Sequence, residues 1–150
     1  MKKLLPFLSE YKLESFLAPL FKMLEAMFEL IVPLVVASII NDGIRQNNLK
    51  FVLSRAAILV VLAVVGMIAS ITAQYFAAKA ATGFATNVRH ALFDKIQTFS
   101  FNEFDRLGTS TLITRMTNDV NQAQSTVNMV LRLFLRSPFI VAAALVMALF

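Results

Sequence analysis

The sequence predicts an all-α membrane protein whose helices continue far beyond the bilayer. Of its 150 residues, 58% are hydrophobic and 15% are charged, whereas a soluble domain normally carries about 25% charged residues. Residues 56–78 contain no charge and are numerous enough to cross the hydrocarbon core of a bilayer. Amphipathic stretches with helical periodicity leave this run and return to a second uncharged run at 137–150. Together these observations predict long helices that project from the membrane as a hairpin.

The N-terminal segment is predicted to lie on the membrane surface. Two lysines at 2–3 precede two leucines at 4–5, a pattern that is shared with signal peptides. Pro6 and Glu10 interrupt the apolar core that a signal peptide requires, and no small-residue cleavage site follows. We therefore interpret residues of about 3–13 as an amphipathic helix on the cytoplasmic face.

The first membrane span is predicted at about residues 15–41. Its C-terminal half is apolar, but its N-terminal half carries Lys22, Glu25 and Glu29, whose spacing of three and four places them on one helical face. Charges within a span normally face a bundle interior or an aqueous cavity. Two interpretations remain open: the glutamates line a pathway for cationic substrates, or they lie near the cytoplasmic interface and pair with Lys22.

The second helix is predicted from about residue 50 to about 99, after a helix stop at 41–43 and a short external connection. Its isolated glycines, Gly66 and Gly83, are interpreted as packing contacts rather than breaks. At about 1.5 Å per residue, the part beyond the membrane extends roughly 30 Å.

A turn at about 100–110 is predicted to reverse the chain, and a third helix starts at about 111. This helix enters the membrane near Arg136, where Pro138 is predicted to bend it. A span needs about 20 residues, so we expect the uncharged run that stops at Phe150 to be cut short within a helix.

The distribution of positive charge predicts the orientation of the chain. Eleven of its 14 lysines and arginines lie before or within the first span or in the hairpin, and three lie on the connection between the first two spans. Because cytoplasmic segments are rich in Lys and Arg, we expect a cytoplasmic N-terminus and hairpin. The positive charges form no dense patch, so nucleic acid is not an expected partner.

We expect no catalytic, cofactor-binding or metal-binding site in this chain. It contains no cysteine, which excludes disulfides and cysteine metal sites. A phosphate-binding loop motif is absent. His90 is the single histidine and has no metal-ligand partner at a suitable spacing.

The hairpin turn carries two phenylalanines, Phe101 and Phe104, three residues apart in a short polar segment. Aromatic side chains at the end of a projecting hairpin suit the groove of a partner, flanked here by Glu103, Asp105 and Arg106. The alternative is that both rings fold back onto the stem of the hairpin.

Residues 104–119, Phe-Asp-Arg-Leu-Gly-Thr-Ser-Thr-Leu-Ile-Thr-Arg-Met-Thr-Asn-Asp, resemble the first intracellular loop of ABC exporters. That family shows an aromatic-acidic start, then Thr-Gly-x-Leu, Ser/Thr-Arg and an aspartate four residues beyond the arginine. The fitting residues are Leu112, Thr114, Arg115 and Asp119. Ser110 replaces the usual glycine, as it does in one half of the bacterial heterodimeric multidrug exporters that this chain is similar to.

The resemblance implies the N-terminal half of a six-helix transmembrane domain with long helices extending into the cytoplasm. An ATP-binding domain outside these residues would hold ATP and Mg. In the family, the short helix at the tip of the loop docks on the ATP-binding domains of its own subunit and of the partner, and transmits their closure to the membrane. The matching residues here are Phe101, Asn102, Glu103, Phe104, Asp105, Arg106 and Leu107.

The resemblance further implies a multi-pass protein of the bacterial inner or plasma membrane that pairs with a second transmembrane subunit, as a heterodimer rather than a homodimer. Small hydrophobic or amphipathic compounds, including cationic drugs, are the expected substrates of alternating access. The candidate pathway residues are Met23, Glu25, Met27, Phe28, Glu29 and Gln74.

Two other classes of function also fit a membrane protein with a cytoplasmic hairpin. A receptor or sensor would show sustained seven-residue repeats in the stalk and no third span. A structural scaffold subunit would need no ATP-driven partner. The uncharged run from Ser137 counts against the receptor.

Overall fold

The computed structural model describes residues 5–134 and 136–149, with side chains for 6–134 and 136–145. Every regular element within these residues is helical, which confirms the predicted all-α class. Parts of two predicted elements lie outside the described residues: positions 3–4 of the surface helix, and Leu135 and Phe150 of the third helix. The elements are a 3₁₀ helix at Leu5–Tyr11, α1 at Lys12–Ser38, a π-helical turn at Ile39–Ile44, α2 at Leu49–Gln97, α3 at Phe101–Leu107, α4 at Thr109–Thr114, a π-helical turn at Arg115–Asp119, α5 at Val120–Leu133 and α6 at Arg136–Leu149.

Three helical stretches are long and apolar enough to cross a membrane. They are Pro6–Ile44, Leu49–Gln97 and Thr109–Leu145. Backbone polar groups in lipid have no water to bond, so a chain with these uncharged runs forms helices that satisfy them internally. The three predicted spans are therefore present as helices, and the third counts against a two-span receptor.

Helix α2 is the central helix against which α1, α5 and the N-terminal 3₁₀ helix pack. At its N-terminal end Val52 contacts Gly43 of the first π turn, and nearer its C-terminal end Lys79 pairs with Glu14 just inside α1 at 2.9 Å. Early residues of α1 thus face late residues of α2, and the two helices are antiparallel. Helix α5 returns along the other end of α2, where Arg89 donates to Asn121 Oδ1 at 2.5 Å.

The seam between α1 and α2 is built from small side chains at intervals of four residues. On α2 the buried residues include Ala69, Ala73 and Ala77, and α1 contributes buried Ala18 and Ala26. Small residues on one ridge let helix backbones approach closely in a membrane, where the hydrophobic effect does not hold helices together. The four-residue alanine spacing was visible in the sequence but was not used in its analysis.

The end of the first span differs from the prediction. Instead of stopping at 41–43, the helix widens into the π turn and ends at Ile44. Gly43 is buried there, and a Cβ at this position would lie 2.5 Å from Cγ2 of Val52. The chain then reverses through Asn47, which has a positive φ of 54°, and Asn48, whose side chain accepts a bond from the Phe51 amide at 3.1 Å and caps α2.

The two isolated glycines of α2 do not interrupt the helix, as predicted, but only one of them is a packing contact. A Cβ at Gly83 would collide with the ring of Tyr11 from the N-terminal 3₁₀ helix. A Cβ at Gly66 would meet no heavy atom within 4 Å among the described residues. The missing side chain at Gly83 therefore lets the Tyr11 ring of the N-terminal segment pack closely against α2. At Gly66 the described residues leave the adjacent space unfilled.

Pro138 lies near the point where the third helical stretch, Thr109–Leu145, is expected to enter the membrane. Helix α5 ends at Leu133 and α6 begins at Arg136. Pro138 has no N–H to donate to the carbonyl of Phe134 four residues earlier, so one helical hydrogen bond is missing from the first turn of α6. The bend of the helix at Pro138 stays a prediction.

Replacing Gly83 by valine is expected to destabilise the protein by about 1–3 kcal/mol, because the new side chain needs the space of the Tyr11 ring. Gly66→Val is the matched control and is expected to leave stability unchanged, since its surroundings are open. Thermal unfolding of the purified protein in detergent measures both. Equal losses in the two variants would show that the Tyr11 contact is not the cause.

Candidate functional site

The tip helix α3 begins at a capping box. Ser100 has an extended backbone, with φ −77° and ψ 161°. Its amide donates to Oε2 of Glu103 at 2.8 Å, and its hydroxyl donates to the same oxygen at 3.0 Å. The first bond occupies the orphan amide at the helix start, and both favour the ionised carboxylate, so the pKa of Glu103 lies below its ordinary value. The sequence predicts Glu103 on a partner surface, and in the structure it also has this local structural role.

Gly108 separates α3 from α4. Its φ of 76° lies in the left-handed region, which glycine adopts without the steric cost that a Cβ imposes. Its amide donates to the Phe104 carbonyl at 2.9 Å and ends α3. An isolated glycine in a polar turn is the signal in the sequence that is typical of such an ending.

The structure separates the two phenylalanines of the turn. Phe101 is 93% exposed, so it is available to a partner. Phe104 is half-buried and packs edge-to-face on Phe99, with ring centroids 6.2 Å apart. Each of the two interpretations of the turn therefore fits one ring: Phe101 projects, and Phe104 folds back onto the stem.

The remaining residues of α3 divide between an exposed surface and the stem. Asn102, Asp105 and Arg106 are exposed beside Phe101. Leu107 turns inward and, with Leu112, lines a cavity of about 70 Å³ at the end of α2. The short helix is thus anchored by Phe104 and Leu107 and presents a mixed aromatic and charged face.

The motif residues of the loop lie on the return helix. Leu112 is buried at 6% exposure and anchors α4, while the Ser110 carbonyl accepts a bond from the Thr114 hydroxyl at 2.9 Å. Arg115 and Asp119 are exposed and mark the first and last residues of the second π turn. Such turns are rare and occur often at functional sites.

A groove of about 350 Å³ lies between α1 and α2 within the membrane region. Three of the candidate pathway residues, Glu25, Phe28 and Glu29, line it together with residues of α2 that include Gly66. The other three candidates do not line this groove. They are Met23, which is half-buried, and Met27 and Gln74, which are exposed.

The two glutamates of the groove have different partners. Glu25 pairs with Lys22 at 2.5 Å, and the side chains of Glu25 and Lys22 are only 12% and 7% exposed. Glu29 pairs with Arg136 of α6 at 2.7 Å, with side-chain exposures of 48% for Glu29 and 28% for Arg136. Pairing with Lys22 therefore accounts for Glu25 alone. The partner of Glu29 lies 107 residues later in the chain. Periodicity within one helix cannot predict a partner on a different helix.

Over residues 5–134 and 136–149, no three histidine, cysteine, aspartate or glutamate side chains group in a way that suits a metal ion. His90 is exposed on α2.

Comparison with known proteins gives a consistent family. The family described as ABC transporter transmembrane region matches residues 15–150. An uncharacterized ABC transporter ATP-binding protein of Bacillus subtilis (strain 168) is 37% identical over 149 residues, which is 99% of this chain and 26% of the relative. An uncharacterized ABC transporter ATP-binding protein of Mycobacterium bovis is 29% identical over 85% of this chain and 22% of its own length.

A putative export ATP-binding/permease protein of Rickettsia felis is 23% identical over 90% of this chain and 23% of its own length. The chain thus spans about a quarter of the length of the curated relatives it matches.

Lys22→Met is expected to destabilise the protein by about 3–5 kcal/mol, because it leaves the nearly buried Glu25 carboxylate without its cation. The double variant Lys22→Met/Glu25→Leu is the control and is expected to lie within about 1 kcal/mol of the unmodified protein. Denaturation in SDS–detergent mixtures measures both. A single variant as stable as the double variant would contradict a buried pair.

The capping box is expected to open only in acid. A carboxylate with a lowered pKa contributes its stabilisation above its ordinary pKa of 4.5 and loses it as the pH falls through the lowered value. A spin label on Asn102→Cys is expected to keep its mobility from pH 7 to 5 and to gain mobility below about 4.5. In the Glu103→Gln background the mobility is expected to be independent of pH; a pH response that persists there would assign it to another group.

Proposed function

The chain belongs to the family of ABC transporter transmembrane regions, and from this premise we propose that it forms the membrane-crossing part of an ATP-driven exporter. Three long apolar helices and a projecting hairpin support this proposal. One of the relatives carries "export" and "permease" in its name. ATP-binding domains outside these residues would bind ATP and Mg.

The hairpin tip is proposed as the element that receives the movement of the ATP-binding domains. The observation that carries this step is the exposure of Phe101, 93% of whose surface is free at the end of the hairpin. Exposed aromatic side chains of this kind are the residues that dominate protein–protein affinity when a pocket accepts them. The adjacent Asp105 and Arg106 supply a charged rim.

The hairpin stem is stiff enough to carry that movement. At about 1.5 Å per residue the 49 residues of α2 extend roughly 74 Å, more than twice the thickness of a hydrocarbon core of about 30 Å. Helix α5 is fastened to α2 by Arg89–Asn121 and by Gln124, which donates to the Thr82 hydroxyl at 3.2 Å. Packed helices shift as bodies rather than deforming continuously, so displacement at the tip would reach the membrane.

The proposed substrates are small hydrophobic or amphipathic compounds, including cationic drugs, moved by alternating access. The groove between α1 and α2 supports this substrate class, because apolar Phe28 lies in it and the neighbouring Glu29 carboxylate, which pairs with Arg136 here, is half-exposed. The proposed second transmembrane subunit is a different chain rather than a copy, on the strength of Ser110 at the usual glycine position. A cytoplasmic N-terminus and hairpin are part of the same proposal.

Phe101→Ala is expected to lower ATP-driven transport about tenfold in proteoliposomes that contain the complete transporter, because it removes the anchor of the tip. Phe93→Ala, which truncates a 49% exposed phenylalanine on the side of α2, is the matched control and is expected to leave transport unchanged.

A second measurement separates docking from loss of folding. With one cysteine introduced as Phe101→Cys, crosslinking to the ATP-binding domain is expected to depend on nucleotide. Absence of a crosslink together with full transport in Phe101→Ala would remove the tip from the coupling path.

A further inference from the structure

The contact between α1 and α6 differs in kind from the other helix contacts of this chain. The seam of α1 with α2 contains buried alanines, and α5 contributes buried Val120 near the α2 stem. By contrast, no side chain of α6 is buried within residues 136–145. Phe139, Ile140 and Ala143 of α6 are only half-buried, and because lipid tails are as apolar as leucine, such contacts favour α1 over lipid only weakly.

One ion pair joins these two helices. Nη2 of Arg136 donates to both carboxylate oxygens of Glu29, at 2.7 and 3.0 Å. Among the side chains that the structure describes, no other hydrogen bond or ion pair leaves α6 for another element. The polar attachment of α6 to α1 within these residues thus depends on two side chains.

The position of Arg136 favours movement of α6 about its first turn. Arg136 is the first residue of α6, and α5 ends at Leu133. Pro138 removes one backbone hydrogen bond, to the Phe134 carbonyl, from the first turn of α6, and proline is a common cause of helix kinks. The missing bond lowers the cost of a tilt of α6 relative to the hairpin stem.

The exposure of the pair allows it to open. Glu29 and Arg136 keep 48% and 28% of their side-chain surface accessible, so both charges can take up water or lipid headgroups when they separate. The Lys22–Glu25 pair, with 7% and 12%, lacks that access and is a fixed part of the α1–α2 seam. Two ion pairs on adjacent turns of α1 thus differ in whether they can break.

We propose that Glu29 and Arg136 form an ionic latch that holds α6 against α1, and that its opening lets α6 move away from α1 and frees the Glu29 carboxylate, which lines the groove. The two residues are positioning residues of the transport cycle, which rests on the proposed export function. In this role the latch sets the ratio of open to closed states rather than contacting ATP or the tip.

The test measures the distance between α1 and α6 by double electron–electron resonance in nanodiscs that hold the complete transporter without nucleotide. Spin labels replace Leu34 and Val141, whose side chains are 57% and 58% exposed and lie outside the pair. Arg136→Gln and Glu29→Gln are each expected to raise the open-to-closed ratio roughly two- to fivefold, the range for a partly exposed ion pair.

Rescue distinguishes a latch from a general structural role. Arg136→Lys and the exchanged pair Glu29→Arg/Arg136→Glu are expected to return the distance distribution towards that of the unmodified protein. Arg132→Gln is the matched control; it removes a positive charge from the last turn of α5 and is expected to change nothing. Unchanged distances in both glutamine variants, or an exchanged pair that stays open, would overturn the latch.

The measurement is made without ATP, so its outcome is separate from the proposed function. If the α1–α6 distances change as expected in a protein that shows no ATP-driven transport, the latch is supported and the proposed export function is rejected. If ATP-driven transport is observed but the α1–α6 distances are unchanged in both glutamine variants, the export function is supported and the latch is rejected.

Discussion

The need to satisfy backbone polar groups in lipid is the constraint on which the rest of this structure depends. It keeps α2, a helix of 49 residues, unbroken across the uncharged run at 56–78, because a break there would leave N–H and C=O groups without partners. A continuous rod of this length then offers one face to α1 and, beyond the membrane, another to α5. The N-terminal 3₁₀ helix also lies on this rod, where Asn87 donates to the Phe7 carbonyl at 3.2 Å.

Small side chains and ion pairs both contribute to the contacts between the helices. Alanines at four-residue intervals allow close approach along the seam, and Gly83 makes room for the Tyr11 ring. The charged groups are paired according to their accessibility: Lys22 and Glu25 are nearly buried, whereas Glu29 meets its partner at an accessible position. Because separation of a buried pair would leave each charge unpaired and unsolvated, the accessible pair is the one that can separate at lower cost.

The tip of the hairpin combines a rigid base with an open face. Phe104 and Leu107 fix α3 on the stem, and the Ser100–Glu103 box and Gly108 set its two ends. Phe101 is then left on the outside of a seven-residue helix that is too short to hold its shape without these attachments. A receiving element for the movement of another domain needs this combination, since a loose tip would absorb the displacement.

The sequence by itself determined the helical class, the three long apolar stretches and the hairpin, because hydrophobic periodicity and uncharged runs are local properties. Its loop motif also indicated the family that matches residues 15–150. Only the tertiary structure decided that Phe101 projects while Phe104 packs on Phe99, and that the cation for Glu29 is Arg136. These outcomes depend on which residues the antiparallel helices bring together across the chain, and the spacing of residues within one helix carries no information about a partner on another.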